Sequence, residues 1–148
     1  MKLIDRSETV MIVLSADLGP EAHDRLSAGV LQGAIDQRGA GHPYRRAVIV
    51  TDLAWFETPM VHDSPTIAIG GAGVNAVSGR FSSELPTVWT DNDRVVIQAE
   101  LNTDGPKRVA LWGLDGAATG AAVNAFIARG WLDEFLDRCW RFRAGAFA

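Results

Sequence analysis

The sequence predicts an α/β domain of three layers, Rossmann- or flavodoxin-like: a mostly parallel sheet between helices, an antiparallel hairpin at one edge and two helices closing the chain. Three observations carry this expectation. Short apolar runs rich in β-branched residues alternate with amphipathic segments of helical period. Gly, Asp and Pro punctuate the junctions between them. The 148 residues hold no linker or low-complexity stretch, so residues 1–148 are read as a single domain.

The run TVMIVLS (9–15) reads as a buried strand, with turn residues Asp17, Gly19 and Pro20 after it. Pro20 suits the first turn of a helix, in which Ala22, Leu26, Val30 and Ala34 recur at spacings of four. Leu31 and Ile35 widen that face, while Gly29 and Gly33 on its flank would let it lie close to a sheet. Gly39, Gly41 and Pro43 stop the helix. RAVIVTD (46–52) is the second strand, and the proline-interrupted segment 53–65 reads as an irregular loop over the sheet edge. TIAIGG (66–71) is the third strand and 73–85 the second helix. A hairpin follows over 87–101, turning at Asp91-Asn92-Asp93, and 102–106 is a further turn. RVALWG (108–113) is the last strand, and the closing helices are 116–129 and 131–143.

Composition restricts the function classes. With 47% apolar and 22% charged residues the chain is ordinary globular material. A net charge of −4 argues against nucleic acid as a partner, because a duplex reader needs a dense basic face. Cys139 is the lone cysteine, so no internal disulfide forms. The apolar run near the N-terminus follows Asp5, Arg6 and Glu8, which fits a signal peptide poorly. No stretch is long and apolar enough for a membrane span, so the expectation is a cytoplasmic protein without a membrane partner.

The junction TIAIGGAGVNAVSGR (66–80) carries the best functional lead. Gly71, Gly73 and Ala76 form G-x-G-x-x-A, the relaxed dinucleotide-binding fingerprint, between a strand and a helix. Glycines allow a ligand oxygen to come close, and the free N–H groups of a helix start favour negative charge. The candidate ligand residues are Gly70, Gly71, Gly73 and Asn75, the last as a side-chain donor. Asp91 and Asp93, about twenty residues on, stand where an acid would receive ribose hydroxyls, or serve only as turn residues. Asp17, Asp52 and Asp115 each follow a strand, so a parallel sheet would bring them to the same rim. There they would complete a ligand site, hold Mg²⁺ through water, or merely cap helices. Thr119, in a second glycine-bearing turn, would contact an anion or only begin its helix.

No nucleophile or zinc pair is identifiable, and His62 beside Asp63 is the histidine to test as a base. No metal ligand or cofactor is assigned. In the last helix Trp131, Phe135, Trp140 and Phe142, with Leu132, Leu136 and Cys139, fill about half the circumference. That excess either meets another subunit of a homo-oligomer or plugs the domain's own core. Residues 71–80 and 120–129 also share Gly, Ala, Val, Asn, Ala and Arg in register, through duplication or through chance among Ala/Gly-rich helices. The leading expectation is a homo-oligomeric binding domain for a small anionic ligand such as a nucleotide. The alternatives are a ligand-free self-assembling protein and a Mg-dependent enzyme on a phosphorylated substrate.

Overall fold

Six runs of the chain pair into one sheet: β1 (Val10–Leu14), β2 (Ala47–Thr51), β3 (Thr66–Ile69), β4 (Thr87–Asp91), β5 (Val95–Glu100) and β6 (Arg108–Gly113). Their order is β2-β1-β3-β6-β5-β4. The first four in that order are parallel; β5 runs antiparallel to β6, and β4 antiparallel to β5 at the edge. The computed structural model describes residues 4–16, 18–102 and 104–146, and the side chains of all these except 18–23 and 141–146.

The helices are α1 (Leu18–Gly39), α2 (Asp52–Glu57), α3 (Ala76–Glu84), α4 (Gly116–Ala128) and α5 (Trp131–Ala146). β1 reads as an unbroken apolar run because both of its faces are covered. Val10, Ile12 and Leu14 meet α1, α4 and α5 on one face, whereas Met11 and Val13 meet α2 and α3 on the other. Two cores thus sandwich the sheet, and the α/β three-layer expectation with its antiparallel edge holds.

Two local expectations are corrected. The segment 53–65 is not irregular: Thr51 Oγ1 accepts from Ala54 N at 3.1 Å and caps α2. Pro59 then opens a 3-10 turn over Pro59–Asp63, and Trp55 and Val61 fill the core beneath. The buried face of α1 is Asp24, Ala28, Leu31 and Ile35. Leu26 and Val30 instead face solvent at 74% and 54% exposure, and a Cβ added at Gly29 or Gly33 would meet open space. The close approach in this layer is supplied by Gly120 of α4, where a Cβ would stand 3.4 Å from Ser27 Oγ.

For α5, interface and core were both open, and the described residues pack on the core. Phe135 is fully buried and meets Phe126 tilted edge-on, with ring centroids 6.3 Å apart. Trp140 is nearly buried, and its Nε1 donates to Glu8 O at 2.9 Å. Trp131 is half-buried against the same core, and the side chain of Phe142 lies outside the described residues. The described residues of the apolar arc therefore pack against the chain's own core. This helix covers the end of α4 and also locks the segment ahead of β1, which needs more than a single stripe.

Candidate functional site

The turn from β3 into α3 is held by the chain's own side chains. Gly70 has a φ of +109°, a conformation open to glycine, and its N–H donates to Leu111 O at 2.9 Å. Gly71 O accepts from Val74 N and Asn75 N, which rounds the turn. Asn75 is fully buried and caps α3, its Oδ1 accepting from Val77 N and Ser78 N. Its Nδ2 donates to Val13 O at 3.0 Å and Ile69 O at 2.9 Å, tying the carboxyl ends of β1 and β3 together. Both amide hydrogens have protein partners, so Asn75 is a structural clasp rather than a donor for a ligand.

Asp52 completes the clasp. Its Oδ2 accepts from Ala76 N at 2.9 Å, and its Oδ1 accepts from Ala16 N and Leu53 N at 3.0 and 2.9 Å. The carboxylate is buried at the starts of α2 and α3, where a bound anion would be favoured by the dipoles of both helices. The anion that the glycine fingerprint invites is thus part of the chain itself, seated at the ends of β1 and β3.

The neighbouring crevice is open. β3 and β6 are adjacent and parallel, yet α3 leaves β3 towards one face and α4 leaves β6 towards the other. Between the two turns lies a cleft of about 210 Å³ walled by Gly70, Gly71, Gly73, Asp115 and Gly116, with Asp24 of α1 behind. Gly71 and Gly73 have open space where a side chain would stand. Gly113 does not: a Cβ there would lie 2.4 Å from Ala118 Cβ. Asp115 Oδ1 accepts from Ala118 N at 2.8 Å and caps α4, while Thr119 Oγ1 accepts from Gly113 N at 3.2 Å and pins β6 to that helix. Asp24 is buried, with Oδ2 2.9 Å from where a Gly70 Cβ would stand.

Four of the sequence candidates, Gly70, Gly71, Gly73 and Asp115, therefore share this cleft, and Asp52 and Asn75 build its support. Asp17 lies outside the described residues. Asp24 lies outside the 22-26-30-34 stripe that the spacing suggests; a lone acid in the 24-28-31-35 stripe is the signal that marks it.

The remaining candidates lie elsewhere. Asp91 and the positive-φ pair Asn92 and Asp93 form the β4–β5 turn. β4 is three positions from β3 in the sheet, ~14 Å at ordinary strand spacing, which is too far to serve a ribose at the glycine turn. His62 stacks on Trp55 at 3.8 Å with Nε2 bonded to Trp55 O, and Asp63 pairs with Arg6 rather than with the histidine. The echo at 120–129 falls inside α4, so Asn124 is an exposed mid-helix residue and no counterpart of the cap Asn75. Among the described residues no three His, Cys, Asp or Glu side chains gather as metal ligands. No described helix is long and apolar enough to cross a membrane.

The fold and cleft define a class, a three-layer α/β protein with a strand-end crevice of about 210 Å³. No family model matches the chain, and no curated protein matches its sequence.

Proposed function

We propose that this protein is a small-molecule binding domain of the doubly wound, Rossmann/flavodoxin-like type, with its ligand in the cleft between the β3–α3 and β6–α4 turns. The observation that carries the reading is the divergence of α3 and α4 to opposite faces of the sheet. Such divergence opens a crevice at the carboxyl ends of parallel strands, where ligands of open α/β sheets bind. The volume, about 210 Å³, lies below the ~300–1,000 Å³ of drug-sized sites, so the ligand is the size of a sugar or amino acid.

The lining chemistry shifts the expected ligand away from a free anion. Asp24 and Asp115 are the ionisable side chains on the described wall, and a phosphate would meet both carboxylates. A ligand presenting a hydroxyl or ammonium donor to Asp115 fits better. The glycine turn remains a wall through which a ligand can approach the backbone closely.

The test is Gly73→Val, which fills the cleft without a clash at its Cβ. Binding of a sugar- or amino-acid-sized compound, found by thermal shift across a small-metabolite panel, should be lost while the variant's own stability stays near wild type. Retained binding would remove the cleft from consideration. Self-assembly remains a second reading, now on α1, because Leu26 and Val30 are exposed one turn apart on the same face. Leu26→Asp with Val30→Asp should then lower the mass measured by sedimentation, and an unchanged mass would refute it.

A further inference from the structure

At the opposite, amino end of β3 and β6, on the α2–α3 face of the sheet, lies a second cavity of about 300 Å³. Thr66 and Arg108 begin the two strands there, and Gly105-Pro106 close one side. Its aromatic wall is closely packed. Trp55 is buried, stacks on His62 with an interplanar angle of 19°, and meets Phe81 edge-on at 6.0 Å. Trp55 Nε1 donates to Thr66 Oγ1, which donates to Ser64 O. The Trp55 carbonyl can only accept, so the 2.7 Å contact from His62 Nε2 assigns the proton to that nitrogen.

The lining also carries two cations. Arg80 and Arg108 both border the cavity, and the Arg108 guanidinium stands 5.6 Å over the Phe81 ring. The two arginines converge on one carboxylate: Glu84 Oε1 is 2.5 Å from Arg108 Nη1, and Oε2 is 3.5 Å from Arg80 Nε. Two guanidiniums and one carboxylate leave a net positive charge beside an aromatic wall. The cleft at the carboxyl end has the reverse character, with Asp24 and Asp115 on its wall.

We propose that the Trp55–Arg80–Arg108 cavity is a second ligand site, taking a small planar aromatic carboxylate. Its ring packs against the Trp55 and Phe81 edges, and its carboxylate takes hydrogen bonds from the arginines in competition with Glu84. The site has no lining residue in common with the proposed carboxyl-end cleft and does not depend on it.

Benzoate is the probe, titrated at constant ionic strength into the whole, ¹⁵N-labelled protein. The readout is the Trp55 indole N–H resonance, assigned by its loss in Trp55→Phe. A saturable shift of that resonance is expected. Arg80→Gln, on an exposed side of α3, should weaken binding about tenfold, the scale of one charge-assisted hydrogen bond. Glu84→Gln should tighten it severalfold by removing the internal competitor, an effect that a purely structural role for these residues would not produce. Cyclohexanecarboxylate should bind more weakly than benzoate, and inorganic phosphate should give no saturable shift. The proposal is overturned if benzoate leaves the Trp55 resonance unmoved, if Arg80→Gln binds like wild type, if Glu84→Gln fails to tighten binding, or if phosphate binds as well as benzoate.

Discussion

Removing the Asp52 carboxylate should destabilise the fold by more than any surface substitution, because three backbone donors depend on it. Leaving a buried donor unsatisfied costs roughly 1–3 kcal/mol, and hydrogen bonds to a charged group sit at the upper end of that scale. Ala76 N, Ala16 N and Leu53 N would all lose their acceptor in Asp52→Ala. The Leu53 bond joins chain neighbours, and partial entry of water would soften all three losses. We therefore expect about 4 kcal/mol in total. Asp52→Asn retains one oxygen for Ala16 and Leu53 but points an amide at Ala76 N–H, and should cost about 2 kcal/mol. Urea unfolding at unchanged m-value measures both, and for a chain of this length the melting temperature should fall ~2–4 °C per kcal/mol. Asp52→Ala also exposes the start of α3 to solution anions, so sulfate should stabilise the alanine variant more than wild type. A loss below ~1 kcal/mol for Asp52→Ala, or sulfate acting equally on both proteins, would refute the idea that Asp52 is the built-in anion of this turn.

Three further outcomes test the packing and the titrations. Phe135→Ala, emptying a fully buried ring site beside Phe126, should cost ~3–5 kcal/mol in chemical unfolding; a fully stable variant would return α5 to the surface. The hydrogen bond from Arg108 holds the Glu84 carboxyl below its ordinary value of 4.5, so this stabilisation is present above pH 4.5 and lost as pH falls through the lower folded value. Solvent screening of this half-exposed pair keeps the contribution below ~1 kcal/mol, and Glu84→Gln should flatten the acid side of the stability curve in urea titrations carried from pH 4.5 downward. Burial pushes the Cys139 thiol from 9.0 up to about 12, with Lys107 opposing the shift. Iodoacetamide at neutral pH should therefore modify the folded protein on the order of a hundredfold more slowly than the urea-unfolded chain. By the same linkage, stability should hold below pH 9.0 and decline towards about 12, where the unfolded chain alone ionises; equal alkylation rates in both states would contradict this.

Much of the fold was legible because the strands in the middle of the sheet are covered on both faces. Such strands must be continuously apolar, and β1 and β3 stand out as unbroken runs on that account. The hairpin was legible for a different reason: Asn92 and Asp93 adopt positive φ, which their residue types tolerate and the turn requires. The face of α1 was not legible, since Leu26 and Val30 are as apolar as Leu31 and Ile35 and only tertiary packing chooses between the two stripes. In α5 the apolar arc was clear, but whether it met a partner or the core depended on the position of Glu8, far away in the chain.

The candidate site divides in the same way. A glycine turn after a strand marks a place of close approach, and Gly70, Gly71 and Gly73 do wall a cleft. What the turn approaches is a tertiary fact. Asp52 stands 24 residues ahead of Ala76, and no local spacing distinguishes an acid that caps a distant helix from one that awaits a metal. The second cavity was less visible still, because Trp55, Arg80 and Arg108 come from three separate elements.

The central claim is that the β3–β6 cleft, walled by the β3–α3 and β6–α4 turns, receives a small polar ligand. Native mass spectrometry tests it most directly, comparing wild type and Gly73→Val after incubation with the same panel of sugars and amino acids. The account predicts one bound small molecule on wild type and none on a folded Gly73→Val. Equal occupancy of the two proteins, or no adduct on wild type from any member of the panel, would contradict it.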